Sequence, residues 1–105
     1  MLVYKICTKE LWAETQKTGV FPGMPIDIAD GYIHLSTEEQ NGGTIRKYFF
    51  GQRDLVLLSV GVDKLGAGLK WEKSSTGKRK GDFPHLYAPL LLAHIVDASP
   101  FDAPE

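Results

Sequence analysis

The chain has 105 residues, of which 43% are hydrophobic and 24% are charged, a composition typical of a globular domain with one core. Its formal net charge of −1 lacks the basic excess of proteins that bind duplex nucleic acid or anionic membranes. The composition therefore disfavours duplex nucleic acid and membranes as partners, although a local basic cluster could still bind RNA.

The same features predict a single domain over residues 1–105, with a frayed tail at 99–105. No apolar run approaches the roughly 20 residues of a membrane helix, and the first residues do not resemble a signal peptide. The only cysteine, Cys7, excludes an internal disulfide and fits a reducing compartment. We therefore predict a cytoplasmic protein without membrane association.

The first third of the chain predicts a strand, a helix and a long loop. Residues 2–7 alternate in polarity and favour a strand. Thr8 is a typical N-cap, and Gly19 is a typical glycine at the end of a helix that reaches Thr18. Prolines and a glycine interrupt residues 20–29, which predicts a loop.

A turn, a short strand and a helix cap are predicted over residues 30–37. The Asp-Gly pair at 30–31 is a strong turn signal, because glycine accepts a positive φ angle. Alternation gives the strand two faces, with Tyr32, His34 and Ser36 on one and Ile33 and Leu35 on the other. Since the second face is apolar, we expect it to face the core and the histidine face to line a cleft or meet solvent.

The rest of the chain predicts one more helix and several strands. Thr37 and Gln40 match a capping box for a helix that reaches Phe49. Residues 55–60 are the best candidate for a central strand buried on both faces. Further extended segments are predicted at 69–72, 83–89 and 95–98, and an exposed, mobile loop at 73–82.

Residues of catalytic types concentrate in two short extended segments. The first carries His34, Ser36 and Thr37, the second carries His85 and Tyr87, and Glu72 lies on a predicted strand between them. Near neutral pH, histidine can act as general acid, general base or hydrogen-bond partner of a ligand. If the segments converge on one cleft, His34, Glu72 and His85 are its candidate catalytic residues.

Structural roles for these residues stay open. His34 could bond a neighbouring strand, His85 could brace a loop, and hydroxyls that precede a helix are typical caps. The basic cluster at 78–80 is typical of a solvated loop, although it could contact a phosphate. No two histidines have the i, i+4 spacing of a helical metal motif, so no metal site is predicted.

Two motifs in the chain resemble those of a bacterial family known as domain of unknown function 952. The motifs are Gly31-Tyr32-Ile33-His34-Leu35-Ser36-Thr37 and Phe83-Pro84-His85-Leu86-Tyr87. The resemblance covers almost the whole chain. The family looks like a compact relative of the ADP-ribosyltransferases, which implies an α+β fold with split, strongly bent β-sheets and two main helices around a nucleotide cleft.

The order of elements is also similar to the catalytic part of RNA 2′-phosphotransferases. On that comparison His34 and Ser36 match a histidine and a hydroxyl residue of the relatives. The first strand departs from the motif of these relatives, because Lys5-Ile6-Cys7 stands where they have H-x-T. A lysine has only donors, so Lys5 would contact a phosphate as a point charge. Glu72 is a candidate for the acid that polarises a ribose hydroxyl in transferases.

The resemblance implies a cleft for a phosphorylated nucleotide such as NAD or ADP-ribose, bound as ligand or substrate, with no required cofactor. Its binding residues would be Lys5, His34, Ser36, Thr37 and Tyr87. Any reaction would transfer a ribosyl or phosphoryl group. Two alternatives stay open: a non-catalytic module that binds a metabolite or a protein, and RNA 2′-phosphate transfer. The sequence gives no indication of oligomeric state.

Overall fold

A computed structural model describes residues 1–74, 77 and 79–105. The described residues form three α-helices and six strands: β1 (Leu2–Thr8), α1 (Lys9–Thr18), α2 (Pro25–Asp30), β2 (Ile33–His34), α3 (Glu38–Tyr48), β3 (Leu55–Gly61), β4 (Leu69–Lys73), β5 (Asp82–Leu86) and β6 (Ile95–Phe101). Within this part of the chain, no helix has the length and apolarity to cross a bilayer.

The first sheet has the order β1-β3-β6 and is antiparallel. Its central strand, β3, is the segment predicted to be buried on both faces. That prediction is confirmed, since Leu55, Val56, Leu58 and Val60 are each at most 2% exposed. β3 pairs with a strand on each side, so the ladders provide backbone partners for its buried apolar run, with one register shift between Ser59 and Val60 on the β6 side.

The second sheet is also antiparallel, with the order β2-β5-β4. β5 lies in the middle and pairs His85 with His34 of β2. On its other side β5 pairs Phe83 with Glu72 of β4. Because side chains alternate along a strand, Phe83 and His85 lie on the same face of β5. The two motifs of the sequence are thus neighbours in one sheet.

Two of the helices follow the sequence signals. α1 begins at Thr8, whose hydroxyl accepts a bond of 3.2 Å from the Leu11 N–H, and it ends at Gly19 with a φ angle of 84°. The capping box before α3 is confirmed. The Gln40 N–H donates to the Thr37 hydroxyl over 3.3 Å, and the Thr37 N–H donates to the Gln40 amide oxygen over 3.0 Å.

The third helix, α2, lies where the sequence predicted a loop over residues 20–29, and that prediction was wrong in part. Pro25 occupies the first helical position, where its missing N–H and fixed φ angle are tolerated. The Asp27 carboxylate accepts the Met24 N–H over 2.8 Å, and Gly31 ends the helix with a φ angle of 81°. The proline therefore begins a helix here. The chain has one helix more than the two expected.

The C-terminal residues are more ordered than predicted. β6 extends to Phe101, three residues beyond the expected strand end. Ala103 is 6% exposed and donates its N–H to the Gln52 oxygen over 2.8 Å, and the Gly51 N–H donates to Pro104 over 3.1 Å. The expectation of a frayed tail at 99–105 is therefore corrected, because the loop after α3 supplies backbone partners for it.

The main core lies where the two sheets and α1 meet. It includes Val3 and Leu58 of the first sheet and Leu35 and Leu86 beside or within the second, each at most 2% exposed. Trp12 of α1 packs against this core. A smaller cluster joins Ile6, Phe49, Leu55 and Ala103. The α+β class is as predicted, and the apolar face of the β2 segment turns inward as alternation required.

Placing a carboxylate at Ala103 tests the ordered tail. We expect Ala103→Asp to lower the free energy of unfolding by about 2 kcal/mol or more, because it buries an unpaired charge. The exposed Ala93 is a matched control, and Ala93→Asp should change stability by less than about 0.5 kcal/mol. Urea denaturation measures both variants, and equal, small effects would contradict the ordered tail.

Candidate functional site

The β2 segment joins the two sheets to each other. His34 pairs with His85 of β5, and the Leu35 N–H continues this pairing with a backbone bond of 3.0 Å. Ser36 then pairs with Tyr4 of β1 through two backbone bonds of 2.7 and 2.9 Å. The chain passes from one sheet to the other within three residues, so polar residues of both sheets meet there.

A buried ionic network lies beneath this junction. The Lys5 ammonium is 2.9 and 2.8 Å from the two carboxylate oxygens of Asp27 and donates to the His34 carbonyl oxygen over 2.9 Å. Asp27 also accepts the His34 N–H over 2.9 Å and lies 2.7 Å from the ring Nδ1. Lys5 and Asp27 are 5% and 3% exposed. Buried charges require such pairing, and here it ties β1, α2 and β2 together.

The position of Lys5 differs from the role expected of it. The resemblance implied a phosphate contact, but an ammonium has three donors, and Asp27 and the His34 carbonyl engage them. The structure thus places the ammonium against protein acceptors instead.

The two ring nitrogens of His34 both face carboxylates. Nδ1 lies 2.7 Å from Asp27, and Nε2 lies 2.9 Å from the partly exposed Asp30 at the end of α2. Burial by itself raises the pKa of Asp27, but the hydrogen bonds from His34 and the charge of Lys5 outweigh it and hold that pKa below its ordinary value. The His34 ring therefore links β2 to α2 through contacts with two carboxylates of that helix.

Among the described residues, His85 has a hydrogen-bond partner at one ring nitrogen only. Its Nδ1 lies 3.0 Å from Glu72 Oε1, and the Tyr87 hydroxyl donates to the same oxygen over 2.6 Å. These bonds from Tyr87 and His85 hold the pKa of Glu72 below its ordinary value, and the bond to Glu72 raises the pKa of Tyr87 to about 12. A charged carboxylate only accepts, so the proton of the neutral His85 ring lies on Nδ1 and Nε2 keeps its lone pair.

The Tyr32 ring brings the two histidine groups together. Its centroid lies 4.4 Å from that of His34, 4.3 Å from His85 and 5.0 Å from Tyr87, in tilted arrangements. The two histidine rings are 5.6 Å apart. The convergence that the sequence left as a hypothesis is therefore present for His34, Glu72, His85 and Tyr87.

A cavity of about 260 Å³ lies beside this cluster, between the sheets and the segment before α2. Its apolar wall includes Met24, Phe49 and Phe83. Polar side chains from six elements or loops also line it: Lys5, His34, Ser36, Thr44, Arg79 and His85. An apolar hollow with a few convergent polar groups is the usual form of a small-molecule site.

Arg79 extends over the opposite wall of the cavity. Its guanidinium donates to the Thr44 hydroxyl over 2.9 Å and to the Gln40 carbonyl oxygen over 3.2 Å, and it lies 4.4 Å from the centre of the Phe83 ring. The Thr44 hydroxyl is in turn 2.9 Å from that of Ser36. The predicted exposed loop at 73–82 therefore packs in part on α3. Residues 75, 76 and 78, including the middle of the predicted loop and the first basic residue of the 78–80 cluster, lie outside the described residues.

Four of the predicted site residues, Lys5, His34, Ser36 and His85, line one cavity, and three do not. Thr37 caps α3, and Tyr87 and Glu72 lie at the outer side of the ring cluster. Sequence reasoning missed Asp27 and Thr44 and treated Arg79 only as part of a basic cluster. A proline two residues before an acidic residue, with a glycine after one further turn, was the signal for α2 and hence for Asp27.

The fold and the site define a small α+β protein with two three-stranded antiparallel sheets and a polar-lined cavity at their junction. Within the described residues, no cluster of three or more His, Cys, Asp or Glu side chains has the geometry of a metal site. The family described as "Protein of unknown function (DUF952)" matches residues 6–98, and the chain belongs to that family. The family assignment from the two sequence motifs is thereby confirmed.

Solved structures of the protein CC0527 from Caulobacter crescentus are similar to this chain. The X-ray structure has 44% sequence identity and a TM-score of 0.88, covering 97% of this chain and 87% of that chain. The solution NMR structure has 44% identity and a TM-score of 0.83, covering 96% of this chain and 84% of that chain. A comparison with curated proteins finds no match.

Removing the charge of Asp27 tests the buried network. We expect Asp27→Asn to lower the free energy of unfolding by about 3–5 kcal/mol, because it leaves the Lys5 ammonium buried without a counter-charge. Asp30→Asn removes the outer partner of His34 and should cost less than about 1 kcal/mol, since that carboxylate is partly exposed. Urea denaturation measures both, and equal losses would contradict the central role of Asp27.

The pH dependence of stability follows from the lowered pKa of Asp27. The unfolded chain takes up this proton near pH 3.9, roughly the ordinary value, before the folded protein does. The stabilisation is therefore complete above that pH and is lost as the pH falls through the lower folded pKa. We expect the stability difference between the wild type and Asp27→Asn, measured by urea denaturation from pH 7 to 3, to shrink on acidification; a constant difference would contradict this.

Proposed function

We propose that the cavity binds a phosphorylated nucleotide of the NAD or ADP-ribose type, with Arg79 as the partner of a phosphate. The observation that carries this proposal is the charge state of the cavity wall. Within the described residues, no carboxylate lies within 4 Å of the Arg79 guanidinium, which contacts only a hydroxyl, a carbonyl oxygen and an aromatic ring. An uncompensated cation in a partly buried wall calls for an anion.

The chemistry of arginine supports a phosphate as that anion. Burial lowers the pKa of Arg79 below its ordinary value, yet a guanidinium stays charged in proteins. It has five N–H donors, and Thr44 and Gln40 engage two of them. The remaining donors can bind a phosphate through two parallel hydrogen bonds. The phosphate contact is thus assigned to Arg79 rather than to Lys5.

The size and lining of the cavity support a nucleotide that is only partly enclosed. A volume of about 260 Å³ lies just below the roughly 300–1,000 Å³ of ordinary ligand pockets. It suits a phosphate with its sugar, with the rest of a dinucleotide lying outside. The paired hydroxyls of Ser36 and Thr44, 2.9 Å apart, are suited to bond sugar hydroxyls.

The fold inference belongs to the same proposal. We infer that this family is a compact relative of the ADP-ribosyltransferases. Two separate three-stranded sheets that meet where Ser36 pairs with Tyr4 support the inference, since a split sheet around a cleft is what the resemblance implied. The position of His34 and Ser36 on the strand that crosses between the sheets supports it further.

A non-catalytic binding module is the second candidate function. The observation that favours it is the engagement of both His34 nitrogens by Asp27 and Asp30. A histidine held in this way has no ring nitrogen left to hydrogen-bond a ligand. On this alternative the protein would bind the nucleotide without converting it.

Calorimetric titration with ADP-ribose at low salt tests nucleotide binding. We expect saturable binding that Arg79→Met weakens about 10- to 100-fold, the value of one charge-assisted interaction. Thr44→Val should weaken it less. The proposal fails if the wild type shows no binding at millimolar ligand, or if Arg79→Met binds as tightly as the wild type.

Two neighbouring glycines of α3 provide a matched control that leaves Arg79 in the chain. A Cβ at Gly43 would lie 2.9 Å from an Arg79 guanidinium nitrogen, whereas a Cβ at Gly42 would meet only the Arg46 side chain, at 3.3 Å. Both Gly→Ala changes should favour the helix by up to about 1 kcal/mol. We expect Gly43→Ala to weaken ADP-ribose binding several-fold and Gly42→Ala to leave it unchanged. Equal affinities of the two variants in calorimetry would show that binding does not depend on the position of Arg79.

A further inference from the structure

The two histidines of the ring cluster are placed for different chemistry. His34 is held at both ring nitrogens by Asp27 and Asp30. His85 is held at Nδ1 by Glu72, and its ring lines the cavity. A neutral histidine whose Nδ1 proton is bonded to a carboxylate carries a basic Nε2 in a fixed orientation. This arrangement is the one that general bases use.

The register of β5 places this base and the proposed phosphate partner along one face of the strand. Phe83 and His85 lie two residues apart on the same face, a separation of about 7 Å. The Arg79 guanidinium lies over Phe83, 4.4 Å from the ring centre. An attacking water between His85 Nε2 and phosphorus needs about 3 Å to each atom, so a phosphate on Arg79 would have to lie roughly 6 Å from Nε2. Arg79 and His85 both line the cavity, along the same face of β5.

The charges around the cavity favour a singly charged phosphoryl group. Of the described residues that line it, Lys5 and His34 are matched by the carboxylates of Asp27 and Asp30, which leaves Arg79 as the cation without a carboxylate partner. Glu72 and Asp30 lie close by at the ring cluster. One available positive charge matches the single charge on each phosphate of a pyrophosphate better than the double charge of a terminal phosphate.

The single free base also restricts the leaving group. The ring protons of His34 are held by Asp27 and Asp30 and the Tyr87 hydroxyl is held by Glu72, so among the described residues of the ring cluster no unengaged acid is placed to protonate a departing alkoxide. A phosphate that leaves a pyrophosphate departs as a stable anion and needs no such proton. The observations therefore agree on a phosphoanhydride rather than an alkyl ester.

We propose that this cavity is the catalytic centre of a hydrolase for the pyrophosphate linkage of a dinucleotide-type ligand, with His85 as general base and Glu72 as its positioning residue. The proposal rests on the nucleotide binding proposed above. Water gives a proton to His85 Nε2 as its oxygen forms a bond to phosphorus. The bridging P–O bond breaks, and its electron pair leaves with the second phosphate. ADP-ribose and water thus give AMP and ribose 5-phosphate.

Turnover of ADP-ribose by the full chain tests the reaction, with AMP measured by chromatography. p-Nitrophenyl phosphate, a doubly charged ester, is the comparison substrate. We expect AMP formation above buffer and no comparable release of nitrophenolate. His85→Gly should lower kcat by about 10²- to 10⁴-fold, the usual contribution of a general base. Imidazole added to His85→Gly should restore part of the rate, because it can occupy the vacated space and accept the proton.

Two further variants separate catalysis from folding. Glu72→Gln should lower kcat at least several-fold while leaving KM unchanged, because it disturbs the orientation of His85 and not the phosphate contact. His94 lies outside the cavity, where its Nδ1 accepts the Leu91 N–H over 3.1 Å. His94→Gln should therefore keep the wild-type rate. Circular dichroism and urea denaturation check that each variant is folded.

Three results would overturn the hydrolase. The first is calorimetric binding of ADP-ribose that depends on Arg79 without any AMP, which would leave a binding module. The second is a folded His85→Gly variant with the wild-type rate. The third is a preference for the monoester, which would refute the charge argument. Failure of the proposed nucleotide binding is seen separately, as the absence of a calorimetric signal with the wild type.

Discussion

The Asp27 carboxylate is the group on which the site depends. It accepts bonds from Lys5, the Met24 N–H and both the backbone and the ring of His34. One side chain therefore begins α2, neutralises a buried cation of β1 and orients a ring of β2. A single charge pair in a low-dielectric interior is marginal for stability, but breaking it is costly, so it fixes geometry more than it adds stability.

This network gives the two histidines different surroundings. His34 and His85 face each other across β2 and β5, and the Tyr32 ring contacts both. His34 has a carboxylate at each of its two ring nitrogens, whereas His85 has one at Nδ1. The same residue type thus links two elements when it lies in β2 and is a candidate base when it lies in β5. Residue type alone could not distinguish them, because the difference lies in partners from α2 and β4.

The sequence predicted those parts of the fold that local signals specify. The capping box at Thr37, the apolar run of β3 and both motif strands were recovered, because each depends on a few consecutive residues. α2 was missed because Pro25 was interpreted as a breaker rather than as a first helical residue. Lys5 was predicted to contact a phosphate because its counter-charge, Asp27, lies 22 residues away in the chain and could not be inferred from the sequence pattern.

The departure of Lys5-Ile6-Cys7 from the H-x-T of the resembled enzymes now has a physical meaning. A lysine placed at that position is buried and must be paired, and Asp27 pairs it. The first strand thus loses the hydrogen-bond acceptors that a histidine and a threonine would offer a dinucleotide. Under the proposed function a cation for the phosphate would come from another element, and we assign that contact to Arg79, which lies 4.4 Å from the centre of the Phe83 ring across the cavity.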